Sequence, residues 1–433
     1  MSVNAGRTLT RRELLAGGGA LGVAAALGIA TAGSPFAGGS QTVTFWHLFS
    51  GGDGIRMTQM LSALAKKDRK LDVRPLILPW GNPYYTKLSL AASGGSPPDV
   101  AILHATKLAE FAPAGLLEPL PQDLLERHGL TPDRFLPKPW ASSRYQGKQY
   151  AIPLDTHPFV LYLNTAMAKK AGVLGKPLNG PDALLDAFDA VKKATGKAGV
   201  IFETRGVTPW RLFLTLYSQL GGKPILTDLG KRIDLDEAKA LQALEWIGQP
   251  AKRGSGGQDV DYQASVALFG DQEAGFLLNG EWEVSTYQAD KIPFDMRPIP
   301  AIFNGSPATQ ADSHTFVLPR KPRSRGHLDA TLRMIATLLD ESLTWAQGGH
   351  VPAFKPVFQS AAYRKLQPQS HYAAAADHVV YDPFAWYSGS GSDLEAQAGA
   401  AFQPVATGVK SPKDGLAAFR AYLDHVAQIP KPV

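Results

Sequence analysis

From Thr42 onward the chain alternates short β-branched and aromatic runs with stretches whose apolar residues recur at helical spacing. Sustained over hundreds of residues, that alternation commits a chain to an α/β architecture with helices packed on a largely parallel sheet. The first unit is clear: residues 43–48 form a strand-like run, Ser50-Gly51-Gly52-Asp53-Gly54 turns the chain, and Ile55, Met60, Leu61 and Leu64 follow at helical spacing. Residues 71–79 predict a second strand, 84–92 a second helix, and 99–104 a third strand introduced by Ser96-Pro97-Pro98. After a Pro-rich loop over 113–139, residues 150–164 are extended, strongly apolar and long enough to pass from one folded unit to another. The alternation then resumes. Helices are predicted around 183–194, 210–220 and 238–248, a strand at 275–278, a helix from Glu281, and strands at 294–299 and 313–319. Helices at 328–339 and 343–346 precede a C-terminal part of helices and turns, and no internal repeat is visible.

At 433 residues the chain exceeds what one small core needs, so two compact lobes are expected. A composition of 44% hydrophobic and 19% charged residues excludes wholesale disorder. The formal charge of +6 is spread out. Its densest runs, Lys66-Lys67 with Arg69-Lys70 and Arg320-Lys321 with Arg323 and Arg325, lack interleaved stacking aromatics, so they read as solvated faces and no nucleic-acid partner is expected. With no cysteine, the chain has no disulfide, thiolate metal site, cysteine nucleophile or lipoprotein anchor.

The N-terminus reads as an address. Arg7, Arg11 and Arg12 form a basic region, Leu14-Leu15 open a Gly/Ala/Leu run, and Ala30-Thr31-Ala32 supply a small-residue cleavage site. Arg11-Arg12 before a weakly apolar, Gly-rich stretch resembles a twin-arginine signal, so residues 1–32 are expected to direct export. The other reading is a membrane helix, for which the segment is barely long enough. Within it, residues 17–22 satisfy the dinucleotide fingerprint by chance, with no preceding strand.

No catalytic constellation is visible. The ten histidines show no H-E-x-x-H or comparable spacing, Glu281 and Glu283 point to different faces of a helix, and there is no nucleophile elbow. No catalytic residue, metal ligand set or cofactor is therefore expected.

Several short patterns together resemble the extracellular solute-binding proteins of sugar-type ABC importers. They are Phe45-Trp46-His47 before a Gly-rich turn, Pro97-Pro98-Asp99-Val100, Tyr150-Ala151-Ile152-Pro153-Leu154-Asp155, Phe276-Leu277-Leu278-Asn279-Gly280-Glu281-Trp282, and Gly348-Gly349-His350-Val351-Pro352-Ala353. The resemblance implies a two-lobed, type II-like periplasmic-binding-protein fold, each lobe a mainly parallel sheet flanked by helices. Lobe 1 would hold residues 42–153 and 308–352, and lobe 2 residues 154–307 and 353–433, with crossings near 154, 307 and 353. A ligand would sit between the lobes, held by loops at the carboxyl ends of strands, and hinge closure would capture it.

The candidate ligand contacts follow from that geometry. Trp282 is the leading aromatic platform, because the resemblance places the Trp of this motif at the cleft; core packing is its alternative. Glu281 serves either ligand hydroxyls or the helix N-terminus, and Asp155 either the ligand or the hinge. His47, Ser50 and Asp53 belong to the Gly-rich loop. His104, His157 and His314 lie at strand ends or the crossing, where a structural role is equally open. Trp80, Tyr84, Trp210 and Trp386 are further platforms or packing residues. The resulting reading is a monomeric, exported, non-enzymatic receptor for a carbohydrate such as an oligosaccharide, delivering to the membrane subunits of an importer. A glycerophosphodiester or other phosphorylated solute is the alternative ligand, and a secreted glycoside hydrolase the alternative of another class.

Overall fold

The computed structural model describes residues 41–303 and 305–430, so the expected export signal lies outside the described residues. Among those described, no helix is long and apolar enough to cross a membrane. Strand β1 (Gln41–His47) buries Val43, Phe45 and His47 on one side and leaves the alternate positions nearer the surface. It lies parallel to β2 (Leu71–Ile77) with Val43 opposite Val73, and parallel on its other edge to β3 (Val100–His104). Helix α1 (Gly51–Lys67) covers this sheet with Met57, Met60, Leu61 and Leu64. Ile55, expected on that apolar face, is instead 61% exposed. Strand His314–Val317 enters antiparallel beside β3, and Ala151–Pro153 closes the five-stranded sheet.

The second sheet is organised by β4 (Asp155–Asn164), all ten residues of which are buried. Phe159, Leu161 and Leu163 pack into one hydrophobic cluster, while Val160 and Tyr162 pack into another on the opposite face. Burial of both faces explains why this run is apolar without alternation. Strand β5 (Ala274–Gly280) pairs antiparallel with β4 and parallel with Ala198–Ile201. Strands Phe294–Pro298, Thr309–Asp312 and Val351–Pro352 also run antiparallel to β4. The two-lobed α/β fold is therefore the expected one, but the sheets are mixed rather than mainly parallel. Segments that pass between lobes run against their returning neighbours, a direction that hydrophobic pattern does not encode.

The passages lie side by side. The Leu154 N–H donates to the His314 carbonyl at 2.8 Å and the Ala353 N–H to the Leu154 carbonyl at 3.2 Å. Ser313 is the single residue between a strand of the second sheet and one of the first, so the middle crossing falls there rather than near 307. After touching β4 at Val351–Pro352 the chain returns Ala353, Phe354 and Val357 to the first core before joining the second lobe. Helix α2 (Thr208–Gln219) and the C-terminal helices Asp393–Ala406 and Pro412–Val426 pack through Phe213, Phe402 and Phe419.

Candidate functional site: an interlobe cleft

A cleft of about 580 Å³ opens between the two sheets. From the first lobe it receives the 48–53 segment after β1, Trp80, and His104 at the end of β3. From the second come His157 and Phe159 of β4, Arg211 of α2, Tyr262, and Trp282 just beyond β5. The 48–53 segment, Trp80, His104 and Trp282 lie at or just beyond the carboxyl ends of strands, where open α/β sheets present ligand contacts, while β4 contributes from its amino end beside the passage between lobes.

Trp282 is positioned by its neighbours. Its indole N–H donates to the Tyr262 hydroxyl at 2.5 Å, and Tyr262 in turn donates to Glu283. The Arg211 guanidinium lies 5.3 Å from the Trp282 ring centroid, a cation–π contact. Gly280 is required for this pose: a Cβ there would fall 1.9 Å from the indole ring, which folds back over the strand end.

Beneath the floor, Asp155 has no exposure and organises a polar cluster. One oxygen accepts the His157 Nδ1–H at 3.1 Å and the His314 backbone N–H at 2.8 Å; the other accepts from His314 Nδ1 at 2.7 Å and the Trp345 indole at 2.6 Å. Burial alone would raise its pKa, but the neighbouring His314 and His157 and their hydrogen bonds hold it well below the usual range. His350 stacks on Trp345 at 4.4 Å and stands 3.0 Å from both Asp53 and Glu281. Burial opposes its charge, yet those carboxylates keep it a cation, its pKa well above the ordinary value. Burial lifts Glu281 to about 7, against the pull of His350. Burial also lowers His157 to about 3, assisted by His314, and raises Asp312 to about 7.

Ser50, Asp53, Trp80, His104, His157, Trp282 and His314 therefore line the cleft together. The remaining candidates do not. His47 lies behind Phe49 with its ring stacked at 5.4 Å, and burial lowers it to about 4. Tyr84 is sealed inside the first lobe, donating to the Ile102 carbonyl at 2.6 Å. Asp155 and Glu281 are wholly buried supports rather than ligand contacts. Trp210 packs against Phe213 and donates to Asp382 at 3.0 Å within the second core; its neighbour Arg211 is the α2 residue that reaches the cleft. Trp386 lines a separate cavity of about 320 Å³ with Tyr85 and Lys107. Arg211, Tyr262, Gln310, Asp312, His350 and Glu395 were not singled out from the sequence. His350 sat inside the Gly348–Ala353 pattern and Asp312 beside His314, so those two had a signal; Tyr262 had none.

The lining carries acidic side chains at Asp53, Glu203, Glu283, Asp312 and Glu395, burial raising Asp312 to about 7 and Glu395 to about 8, against the guanidinium of Arg211 and the imidazolium of His350. With aromatic surfaces at Trp80, Phe159, Tyr262 and Trp282, this arrangement suits an uncharged polar molecule with apolar faces better than an anion.

Fold and cleft together define a two-lobed binding protein. The sequence pattern of the bacterial extracellular solute-binding protein family matches residues 57–321, well over half of the chain, and the protein belongs to that family. It is 23% identical over 223 residues to a maltotriose-binding protein of Pyrococcus abyssi, a match spanning 50% of this chain but only 44% of that relative. Among solved structures it resembles the GacH receptor of Streptomyces glaucescens, described unliganded and with acarbose, at TM-score 0.75 and 21% identity, covering 90% of this chain and 99% of that one. It also resembles maltose-bound MalE3 of T. maritima at TM-score 0.75 and 19% identity, covering 89% and 99%. At such identities these likenesses establish the fold.

Proposed function

We propose that the protein is the extracytoplasmic receptor of an ABC importer, which captures a carbohydrate such as an oligosaccharide between its lobes and presents it to the membrane subunits. The observation that carries this reading is Trp282, locked by Tyr262 at the mouth of a cleft rich in neutral and acidic hydrogen-bonding groups. A sugar ring offers a C–H face to an aromatic platform and hydroxyls to carboxylates and imidazoles. The names of the relatives, which refer to maltotriose, maltose and acarbose, point the same way. The preponderance of acidic side chains disfavours a phosphorylated solute. Export through residues 1–32, a monomeric state and the absence of turnover belong to the same proposal, as does the lobe division given above with its middle boundary moved to Ser313.

The test is a thermal-shift and calorimetric screen of the protein against maltose, maltotriose, acarbose and a glycerophosphodiester, each mixture then assayed for product. A bound sugar at about 100 times its Kd adds about 2.7 kcal/mol of stability. Trp282→Ala should weaken it by about 2 kcal/mol, roughly thirtyfold. Stabilisation by the glycerophosphodiester alone, or release of product, would replace this reading with one of its alternatives.

A further inference from the structure

We propose that His104, His157 and Asp312 form a binding site for a divalent transition-metal cation of the zinc class on the floor of the cleft. The three residues come from the end of β3, the start of β4 and the end of strand Thr309–Asp312, and all line the cleft. One ligating atom from each lies within 4.8 Å of the others. Neighbouring ligands of a tetrahedral ion stand about 3.4 Å apart, so side-chain adjustments on the order of 1 Å close the shell.

The orientation of the imidazoles is the second observation. The Nδ1 of His104 is bound by the buried Tyr85 hydroxyl at 2.6 Å, and the Nδ1 of His157 by Asp155 at 3.1 Å. With Nδ1–H donating to these buried oxygens, Nε2 is the ring atom left as a ligand. That is the outer-shell arrangement by which proteins fix metal-binding histidines. Asp312 Oδ1 accepts the Thr106 N–H at 3.2 Å and the Ser313 N–H at 2.8 Å, while Oδ2 accepts only the Thr106 hydroxyl and so retains a lone pair for a ligand bond.

The neighbouring group of Asp155, His157, His314 and His350 is different, although its atoms are equally close. Both Asp155 oxygens already accept hydrogen bonds from His157, His314 and Trp345, and His350 is held among carboxylates as their counter-ion. Its carboxylate has no lone pair left for an ion, so it supports the site above it. Two imidazoles and one carboxylate, without thiolate, suit zinc, cobalt or nickel better than calcium or magnesium. Three protein ligands leave a coordination position open towards the cleft.

The experiment uses the full chain, free of any histidine tag and stripped with chelator, with no solute added, so its outcome does not depend on the carbohydrate reading. Zn²⁺ is titrated in competition with a chromophoric chelator and Co²⁺ is followed by its visible absorption. We expect one ion per chain. His157→Gln and Asp312→Asn should each lower affinity at least tenfold, and Tyr85→Phe, which touches no metal, about tenfold. His371→Gln, at an exposed pair with Asp295, should change nothing. Circular dichroism checks that each variant folds. Because a buried substitution can unfold the chain, zinc-edge X-ray absorption of the unsubstituted protein supplies an independent reading, with two imidazoles expected. Absence of stoichiometric binding, retention of affinity in folded His157→Gln and Asp312→Asn, or a shell with fewer than two imidazoles would overturn the proposal.

Discussion

Gly280 and Trp282 show how a single hydrogen at a backbone position shapes the site. The indole occupies the space where any other residue at 280 would place its Cβ, and Tyr262 fixes its N–H from the far side. Gly280→Ala must rotate the ring or shift the end of β5, at an overpacking cost of about 1–3 kcal/mol. The expected result is at least a tenfold loss of sugar affinity with altered tryptophan fluorescence, read by titration; unchanged affinity would mean that the ring is not a platform. Trp282 was legible in the sequence because a glycine and a strand end precede it. Trp210 was a candidate and Arg211 was not, because adjacent residues on a helix face different ways and only the packing of α2 against the C-terminal helices decides which of them is core. The histidines of the floor are far apart in sequence, so no spacing rule could gather them.

At the scale of elements, the Pro97-Pro98-Asp99-Val100 pattern is a clamp. The Asp99 carboxylate accepts the Thr44 N–H at 2.8 Å and its hydroxyl at 2.7 Å, tying β1 to the start of β3, and meets Lys321 at 2.6 Å. Arg323 adds a bond to the Asp99 carbonyl at 3.0 Å, so the basic run read as a solvated face is partly a structural brace. Burial works against the ionised form, but Lys321 and Thr44 prevail and lower Asp99 to about 2. A folded pKa below the unfolded one of about 3.9 stabilises the protein above that value, and the contribution disappears as pH falls through about 2. Asp99→Asn is therefore expected to cost about 2 kcal/mol at pH 7. Thermal melts of both proteins should converge steadily between pH 4 and pH 2; a gap that stays constant would show that the charge contributes nothing. Element positions were readable from the apolar pattern, from helical periodicity in α1 and from an unbroken apolar run in β4. Strand direction was not, because antiparallel partners of a doubly buried strand carry the same residue types as parallel ones.

For the whole molecule, the question is whether solute entry requires the lobes to separate. They meet at the rim of the cleft, where a Cβ at Gly52 of α1 would stand 3.3 Å from the Ser285 Cβ beyond β5. That is close to the separation of disulfide-linked Cβ atoms, about 3.5–4.5 Å. Gly52 does not require a left-handed backbone, and the chain has no cysteine of its own, so Gly52→Cys with Ser285→Cys would form one unambiguous bond. The three adjacent passages at Leu154, Ser313 and Ala353 provide a narrow axis about which the lobes could turn, as hinge-closing proteins do. If ligand enters only when the rim opens, the oxidised double variant should take up sugar at least tenfold more slowly than the same protein reduced, measured by stopped-flow tryptophan fluorescence. Its affinity need not fall, because a lock that blocks entry also blocks escape. Equal association rates before and after reduction would mean that the cleft fills without lobe movement, and the receptor would then have to signal occupancy to a membrane partner through the surface of the bound solute itself.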